Sequence, residues 1–258
     1  MYSINAHAKV NIFLKITGHR NGYHTLLSRF MKVETLYDTL SLVPHTCESF
    51  EIQGCDDVPV RSNTVYRAFE TLLKHTRSKR LETFFRTHKV VIEKRIPSQA
   101  GLGGGSSDAA AFMRLVNEVC ELNIDTPKLA ELGSTIGADL PFFIHNYDSA
   151  NVSGFGEIVE PFEETPLSFD LFTPNLGCDT ATVYRTFKRE LFDTITPCSF
   201  MGWERYKSCD ILDLIADPVM LNDLYAAARI AYPELERIAP EGWYFSGSGS
   251  TFFKVTDR

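Results

Sequence analysis

The sequence predicts an α+β protein, on three observations. The segment AKVNIFLKI alternates, with Ala8, Val10, Ile12 and Leu14 on one face and Lys9, Asn11, Phe13 and Lys15 on the other, the period of a half-buried strand. Residues 63–75, NTVYRAFETLLKH, repeat Val65, Ala68, Phe69, Leu72 and Leu73 at helical spacing. Between them in character, KRIPSQAGLGGGSSDAAAFM (residues 94–113) passes from a strand-like run through a glycine-rich loop into an alanine-rich helix.

Taken in order, AKVNIFLKI is followed by a turn in TGHRNGYH. Residues 39–43, 48–52 and 88–96 read as strands, with the helix over 63–75 among them. After the glycine loop, Ser106, Ser107 and Asp108 are N-cap residue types. Behind them Ala109, Phe112, Met113, Val116, Val119 and Cys120 form an apolar helical stripe. The passage ADLPFFIHNYDSANVSGFGEIVEPFEETP is acidic and rich in turn residues, which marks it as the boundary between two lobes, 1–160 and 161–258. Beyond it, LSFDLFTPN reads as a strand, 179–189 and 222–231 as helices, and WYFSGSGSTFFKV as two strands joined by a Gly/Ser turn.

Composition excludes several classes of function. With 258 residues, 44% hydrophobic and 23% charged, the chain can bury a core. A formal charge of −7 argues against nucleic acid as the main partner, because neutralising many phosphates takes an excess of Lys and Arg. The six cysteines, at 47, 55, 120, 178, 198 and 209, make no C-x-x-C pair and have no nearby histidine at ligand spacing, so reduced thiols are expected and neither zinc nor disulfides. MYSINAHAKVNIFLKI lacks the long apolar stretch of an export signal, and no membrane-length run follows, so a cytoplasmic chain is expected.

The loop at 97–108 is the strongest chemical signal. A helix N-terminus carries unpaired N–H groups and a partial positive charge, and glycines let a phosphate approach the backbone. An ordinary flexible loop capped by serine is the competing reading. No G-x-x-x-x-G-K-[ST] occurs, and the third-glycine slot of G-x-G-x-x-G is Ser106. Protein-kinase H-R-D and D-F-G signatures are absent as well.

The run from Pro97 to Ala110, PSQAGLGGGSSDAA, resembles the phosphate-binding motif P-x-x-x-G-L-G-S-S-x-A of the GHMP kinases. AHAKVNIFLKITGHRNGYH near the start, GADLPFF and the terminal SGSGSTFF extend the resemblance over nearly the whole chain, in family order. It implies a two-lobed GHMP-kinase fold with the active site in the cleft between lobes. The implied reaction is ATP-dependent phosphorylation, assisted by Mg²⁺, of the 2-hydroxyl of a cytidine-diphosphate-linked methylerythritol, a step of the non-mevalonate route to isoprenoid precursors. Another small-molecule kinase of the family, of homoserine or mevalonate type, and a non-catalytic nucleotide-dependent sensor are the alternatives. Gly22-Tyr23-His24 argues against the first, and Lys9, Asp139 and an intact loop argue against the second. The implied partner is a small molecule, with no nucleic acid and no membrane, and the chain is expected to be a monomer or weak homodimer. The metal ligands are left open.

The resemblance also assigns roles. ATP falls to Lys94, Pro97, Gly101, Leu102, Gly103, Gly104, Gly105, Ser106 and Ser107. Lys94 shares strand parity with Val90, Ile92 and Ile96, so it either faces a ligand cleft or frays into solvent; the resemblance implies the cleft. Asp139, which by pattern alone is an N-cap before Pro141, matches the family's catalytic aspartate, with Lys9 beside it to help ionise the acceptor hydroxyl. A solvated strand face is the plainer reading of Lys9 and Asn11. The substrate falls to Asn11, Tyr23, His24, Asp139, Thr180 and Tyr184, with Tyr23 and Tyr184 on opposite faces of the cytosine. Two positions depart from the pattern. His7 stands where proline is usual, and Asp108 stands where asparagine is common; Asp108 is expected to point away from the phosphates. The segment 190–220 matches nothing in the family.

Overall fold

The structure, a computed structural model, describes residues 1–20, 22–55, 58–194 and 200–257. Cys198 and Asn21 lie outside the described residues. The chain forms two compact units, each assembled from separate stretches: Met1–Ala8, Glu34–Ile96 and Gly103–Asn146 in the first, and Lys9–Val33, Pro97–Leu102 and Tyr147–Arg258 in the second. Two long strands, β1 (Tyr2–Arg20) and β2 (Tyr23–Pro44), contribute residues to both.

In the first unit the distal part of β2 pairs antiparallel with β4 (His88–Glu93), from Thr39 opposite Glu93 to Pro44 opposite His88, and the short β3 (Ile52–Gln53) runs parallel to β4. Helix α1 (Thr64–Thr76) starts where expected because Asn63 caps it, accepting from the Val65 N–H at 2.8 Å, and it buries Val65, Ala68 and Leu72. Helices α2 (Lys79–Phe84) and α4 (Thr126–Ser134) have their own side-chain caps, Ser78 and Asp125. Helix α3 (Gly104–Val119) packs against α1 and α5 (Leu140–His145), burying Ala109, Phe112, Met113 and Val116 from its expected stripe.

Residues 48–51 are not a strand. Phe50 leaves the ladder to stack on Phe69 at 4.3 Å between ring centres, and it meets Phe85 and Phe112 in an aromatic core. That burial outweighs the strand propensity of a five-residue stretch.

In the second unit the proximal part of β2 pairs antiparallel with β5 (Ser149–Gly154), which pairs with β6 (Ile158–Pro161). The passage read as turn-rich linker thus supplies α5 and a hairpin. A second sheet, in the order β7 (Ser168–Phe172), β9 (Phe252–Asp257), β8 (Tyr244–Phe245), confirms the paired terminal strands. Helices α6 (Thr180–Glu190), α7 (Ser208–Leu214), α8 (Pro218–Leu221), α9 (Asp223–Ala231) and α10 (Leu235–Ile238) complete the unit, with α6 packed on α9. Among the described residues no helix is long and apolar enough to cross a membrane, and the five described cysteines are free thiols.

Candidate active site

Within the first unit, the glycine loop delivers a helix start that no side chain caps. The cap position of α3 is Gly103, at φ +74°, and the serines lie inside the first turn. This corrects the expectation that Ser106, Ser107 or Asp108 would cap. Two of these side chains are engaged elsewhere: Ser107 Oγ donates to the His7 carbonyl at 2.7 Å, and Asp108 Oδ2 accepts from Lys94 Nζ at 2.7 Å. The unusual His7 therefore meets the loop through its backbone, which any residue supplies. With no side-chain cap, the first-turn N–H groups of α3 are the kind of donors an anion takes up.

Lys94 neither frays nor stands alone. Strand β4 ends at Glu93, and the Lys94 ammonium is held by Asp38 Oδ2 at 2.5 Å as well as by Asp108. Both carboxylates are buried, and Asp38 Oδ1 also accepts the N–H groups of Arg95 and Ile96. Burial pushes the Asp108 carboxyl up to about 7; Asp38 pushes the same way and Lys94 pulls against them. The lysine stays charged, with its pKa raised by the two carboxylates against the opposing effect of burial. Asp38 was missed in the sequence, yet a signal exists. It has the inward parity of Leu40 and Leu42, and the β2–β4 register, with Thr39 opposite Glu93, places it across from Lys94.

Asp139 occupies the N-cap position of α5 but makes no side-chain cap bond. The turn before it lies near the loop's first serine, since a Cβ built on Gly137 would sit 3.6 Å from Ser106 Oγ. Gly104 differs from the expectation that its missing side chain leaves room for phosphate: a Cβ there would meet Ile96 Cγ2 at 2.9 Å. At Gly105 the nearest atom to such a Cβ is Thr64 Oγ1 at 3.5 Å, an ordinary contact.

In the second unit, Lys9 and Asn11 are buried, so their strand face is not solvated. Lys9 Nζ donates to Asn11 Oδ1 at 2.6 Å and lies 4.6 Å from the centre of the Phe30 ring; Asn11 Nδ2 donates to Ser28 Oγ at 2.9 Å. The amide thus orients the ammonium and is itself oriented. The Lys9 N–H donates to the Leu102 carbonyl at 3.0 Å, tying β1 to the 97–102 stretch of the loop.

The terminal motif grips that same stretch. Ser246 Oγ donates to the Gly101 carbonyl at 3.0 Å and the Thr251 N–H to the Ala100 carbonyl at 3.1 Å. Only glycine fits at 101, where φ is +74° and a Cβ would fall 2.1 Å from the Ser246 carbonyl oxygen. Asn222, which the sequence did not single out, donates from Nδ2 to the Phe245 and Gly247 carbonyls at 2.9 Å each, fixing the motif from behind.

Aromatic groups gather at the start of β2. The His24 ring stacks on Tyr184 at 5.7 Å with 27° between planes, while Tyr23 is 70% exposed and meets Phe155 edge-on at 6.0 Å. His24 thus shares the neighbourhood of Tyr184. Burial, followed by the nearby His19 and Lys188, lowers the His24 pKa and favours the neutral imidazole. The Thr180 hydroxyl, at the start of α6, hydrogen-bonds that of Ser248 in the terminal motif at 2.8 Å.

The first unit thus holds an uncapped helix start and the Asp139 carboxylate, and the second an oriented ammonium and an aromatic cluster. The GHMP kinases N terminal domain family matches residues 63–147. A curated 4-diphosphocytidyl-2-C-methyl-D-erythritol kinase from Sulfurovum sp. (strain NBC37-1) is 64% identical over 257 residues, covering 100% of both chains. The protein of that name from Sulfurimonas denitrificans is 43% identical, over 98% of this chain and 96% of its own. Among solved structures, a 4-(cytidine 5'-diphospho)-2C-methyl-D-erythritol kinase superposes with a TM-score of 0.75 at 31% identity, over 99% of this chain and 90% of that one. A mevalonate kinase, with a TM-score of 0.66 and 14% identity over 100% and 92% of the two chains, shares the fold.

Proposed function

Because the chain belongs to the 4-diphosphocytidyl-2-C-methyl-D-erythritol kinases, within the GHMP kinases, we propose that it transfers the γ-phosphoryl group of ATP to the 2-hydroxyl of 4-diphosphocytidyl-2-C-methyl-D-erythritol, in the non-mevalonate route to isoprenoid precursors. The observation that carries this reading is the 64% identity along the entire length of a kinase of that name.

Phosphoryl transfer asks a protein for positioning and charge stabilisation more than for covalent chemistry. In our assignment the uncapped N–H groups at the start of α3, with Ser106, Ser107 and the backbone from Pro97 through Gly101, Leu102, Gly103, Gly104 and Gly105, receive the phosphates. Lys94 stiffens this cradle through Asp38 and Asp108. Asp139 takes the proton of the acceptor hydroxyl. Its carboxylate is not committed to capping α5, which agrees with such a role. Lys9, oriented by Asn11, lowers the cost of ionising that hydroxyl. His24 and Tyr184 hold the cytosine, with Tyr23 at its exposed edge and Thr180 on the same side of α6.

Magnesium fits the donor types at the cradle: the Ser106 hydroxyl and Asp108 Oδ1, a buried carboxylate oxygen with no hydrogen-bond partner, are hard oxygen ligands. Bound there with ATP, it would screen the phosphate charge. We assign the nucleotide role and Asp139 to an N-terminal lobe, 1–160, and the α6 contacts to a C-terminal lobe, 161–258. A monomer or weak homodimer acting in the cytoplasm is the working state.

A coupled ATPase assay offering the cytidylated methylerythritol, homoserine and mevalonate in turn tests the assignment. Turnover with the first alone is expected. Preferential turnover of either other acceptor would reassign the substrate, and turnover of none would leave a nucleotide sensor.

A further inference from the structure

We propose that His45, Cys47 and Glu51 form a zinc-binding site, with water or an exogenous ligand completing the coordination. None of the three belongs to the kinase machinery assigned above. An imidazole nitrogen, the thiol sulfur and a carboxylate oxygen all lie within 4.8 Å of one another, and His45 Nε2 is 3.6 Å from Glu51 Oε2. Zinc bonds of about 2.0–2.3 Å in a tetrahedron put ligand atoms roughly 3.4–3.7 Å apart, so closure takes side-chain adjustments of about an ångström.

The three residues sit on one frame. The His45 N–H donates to the Thr87 carbonyl at 2.9 Å, the Cys47 N–H to the Arg86 carbonyl at 3.0 Å, and the Glu51 carbonyl accepts from the Val90 N–H at 3.0 Å. All three backbones are therefore pinned to residues 86–90, the start of β4, and the side chains converge without further ordering of the chain. The spacing H-x-C-x-x-x-E matches no familiar zinc pattern, which is why the sequence suggested no zinc site. What brings the ligands together is the loop left when Phe50 abandons the strand for the aromatic core.

Donor chemistry selects the metal. Magnesium and calcium ask for oxygen ligands throughout, whereas a mixed nitrogen, sulfur and oxygen set suits zinc. The Cys47 thiol's hydrogen bonds to the His45 and His88 carbonyls are long, 3.4 Å and 3.6 Å, so its displacement from them costs little. On binding, the S–H bond breaks, an S–Zn bond forms and the proton leaves to solvent. His45 and Glu51 are about half exposed, with side-chain values of 47% and 44%, and they provide the way in. An ion here would clip the 45–51 loop to β4.

The test is a titration of the reduced, metal-free full-length chain with zinc alone, read by competition with a chromophoric chelator, and with cobalt as the spectroscopic substitute. One equivalent of tightly held metal is expected, with a thiolate-to-cobalt charge-transfer band and a zinc-dependent rise in Tm. Cys47→Ser should abolish the band, and His45→Ala and Glu51→Gln should each weaken zinc by about tenfold or more. Cys209→Ser should change neither. Glu51→Gln alters a half-exposed side chain and should leave kinase activity intact; if Cys47→Ser fails to fold, zinc affinity in Glu51→Gln decides. Zinc affinity unchanged in Glu51→Gln, a band that survives Cys47→Ser, or no equivalent bound by the parent chain would overturn the site.

Discussion

Asp139 stands at the N-cap position of helix α5 with no side-chain cap bond, so its replacement leaves the capping of α5 unchanged. Asp139→Asn is expected to fold and bind ATP normally while kcat drops by about 10²- to 10⁴-fold, the usual contribution of a general base. Steady-state kinetics beside a thermal melt checks this; a near-normal kcat would reduce Asp139 to a helix-terminal residue. Asp108 gives a pH prediction. Its folded pKa, about 7, lies above the ordinary 3.8. Between those values the unfolded chain has lost the proton and the folded chain keeps it, so stability falls as pH rises from about 4 to 7, by a few kcal/mol at most, and levels off above. Asp108→Asn removes the titration and leaves Asp38 paired with Lys94. The variant should therefore gain stability relative to the parent between pH 5 and pH 8, measured by denaturant midpoints. An equal gap at both pH values would contradict the buried-carboxyl account.

For the elements, the start of α3 decides how the glycines are to be tested. Gly104 faces Ile96, so a side chain there disturbs packing and reports nothing clean about phosphate. Gly105 is the better probe. It lies in the first helical turn, its added methyl meets no close contact, and alanine is favoured there by up to about 1 kcal/mol. Gly105→Ala should be as stable as the parent or more so, yet show a raised KM for ATP because the methyl crowds the phosphate approach. An unchanged KM would remove this turn from the phosphate cradle. On α6, Tyr184→Ala should lose roughly 1–3 kcal/mol of base stacking, about tenfold or more in KM for the cytidylated substrate, with KM for ATP little changed. A rise confined to the ATP KM would move the ring to the nucleotide side. Tyr23→Ala should do less, since that ring is largely exposed.

At the scale of the whole molecule, stability leans on a buried ion pair that no local pattern announces. Arg29 is 0% exposed and Glu164 only 3%, and their side chains meet at 3.1 Å. The guanidinium also bonds Asn151, Ser208 and the Glu204 and Tyr206 carbonyls, and it lies 3.4 Å from the Phe162 ring centre. It joins β2 and β5 to the chain before and within α7. Arg29→Ala leaves the Glu164 carboxylate buried with hydroxyl and N–H partners but no cation, and it should destabilise folding by about 3–5 kcal/mol. Chemical denaturation measures this; a loss under 1 kcal/mol would show that water reaches Glu164 freely.

The sequence by itself determined the elements whose signal is local. Helix α1 follows from its apolar spacing and Asn63, the first strand from its alternation, and the strand, glycine loop and helix at 88–119 from a β-branched run, a cluster of glycines and an alanine-rich apolar stripe. The same motifs carried the family, since they are short and contiguous. Only tertiary structure decided which faces are dry. Lys9 and Asn11 have the pattern of a solvated face and are buried because chain far away in sequence covers them. The Asp38–Lys94–Asp108 triad, the grip of residues 246–251 on 100–101 and the meeting of His45, Cys47 and Glu51 likewise join residues through packing. Periodicity records one neighbour at a time along the chain, whereas desolvation and pairing depend on everything within a few ångströms, and that is set by the fold.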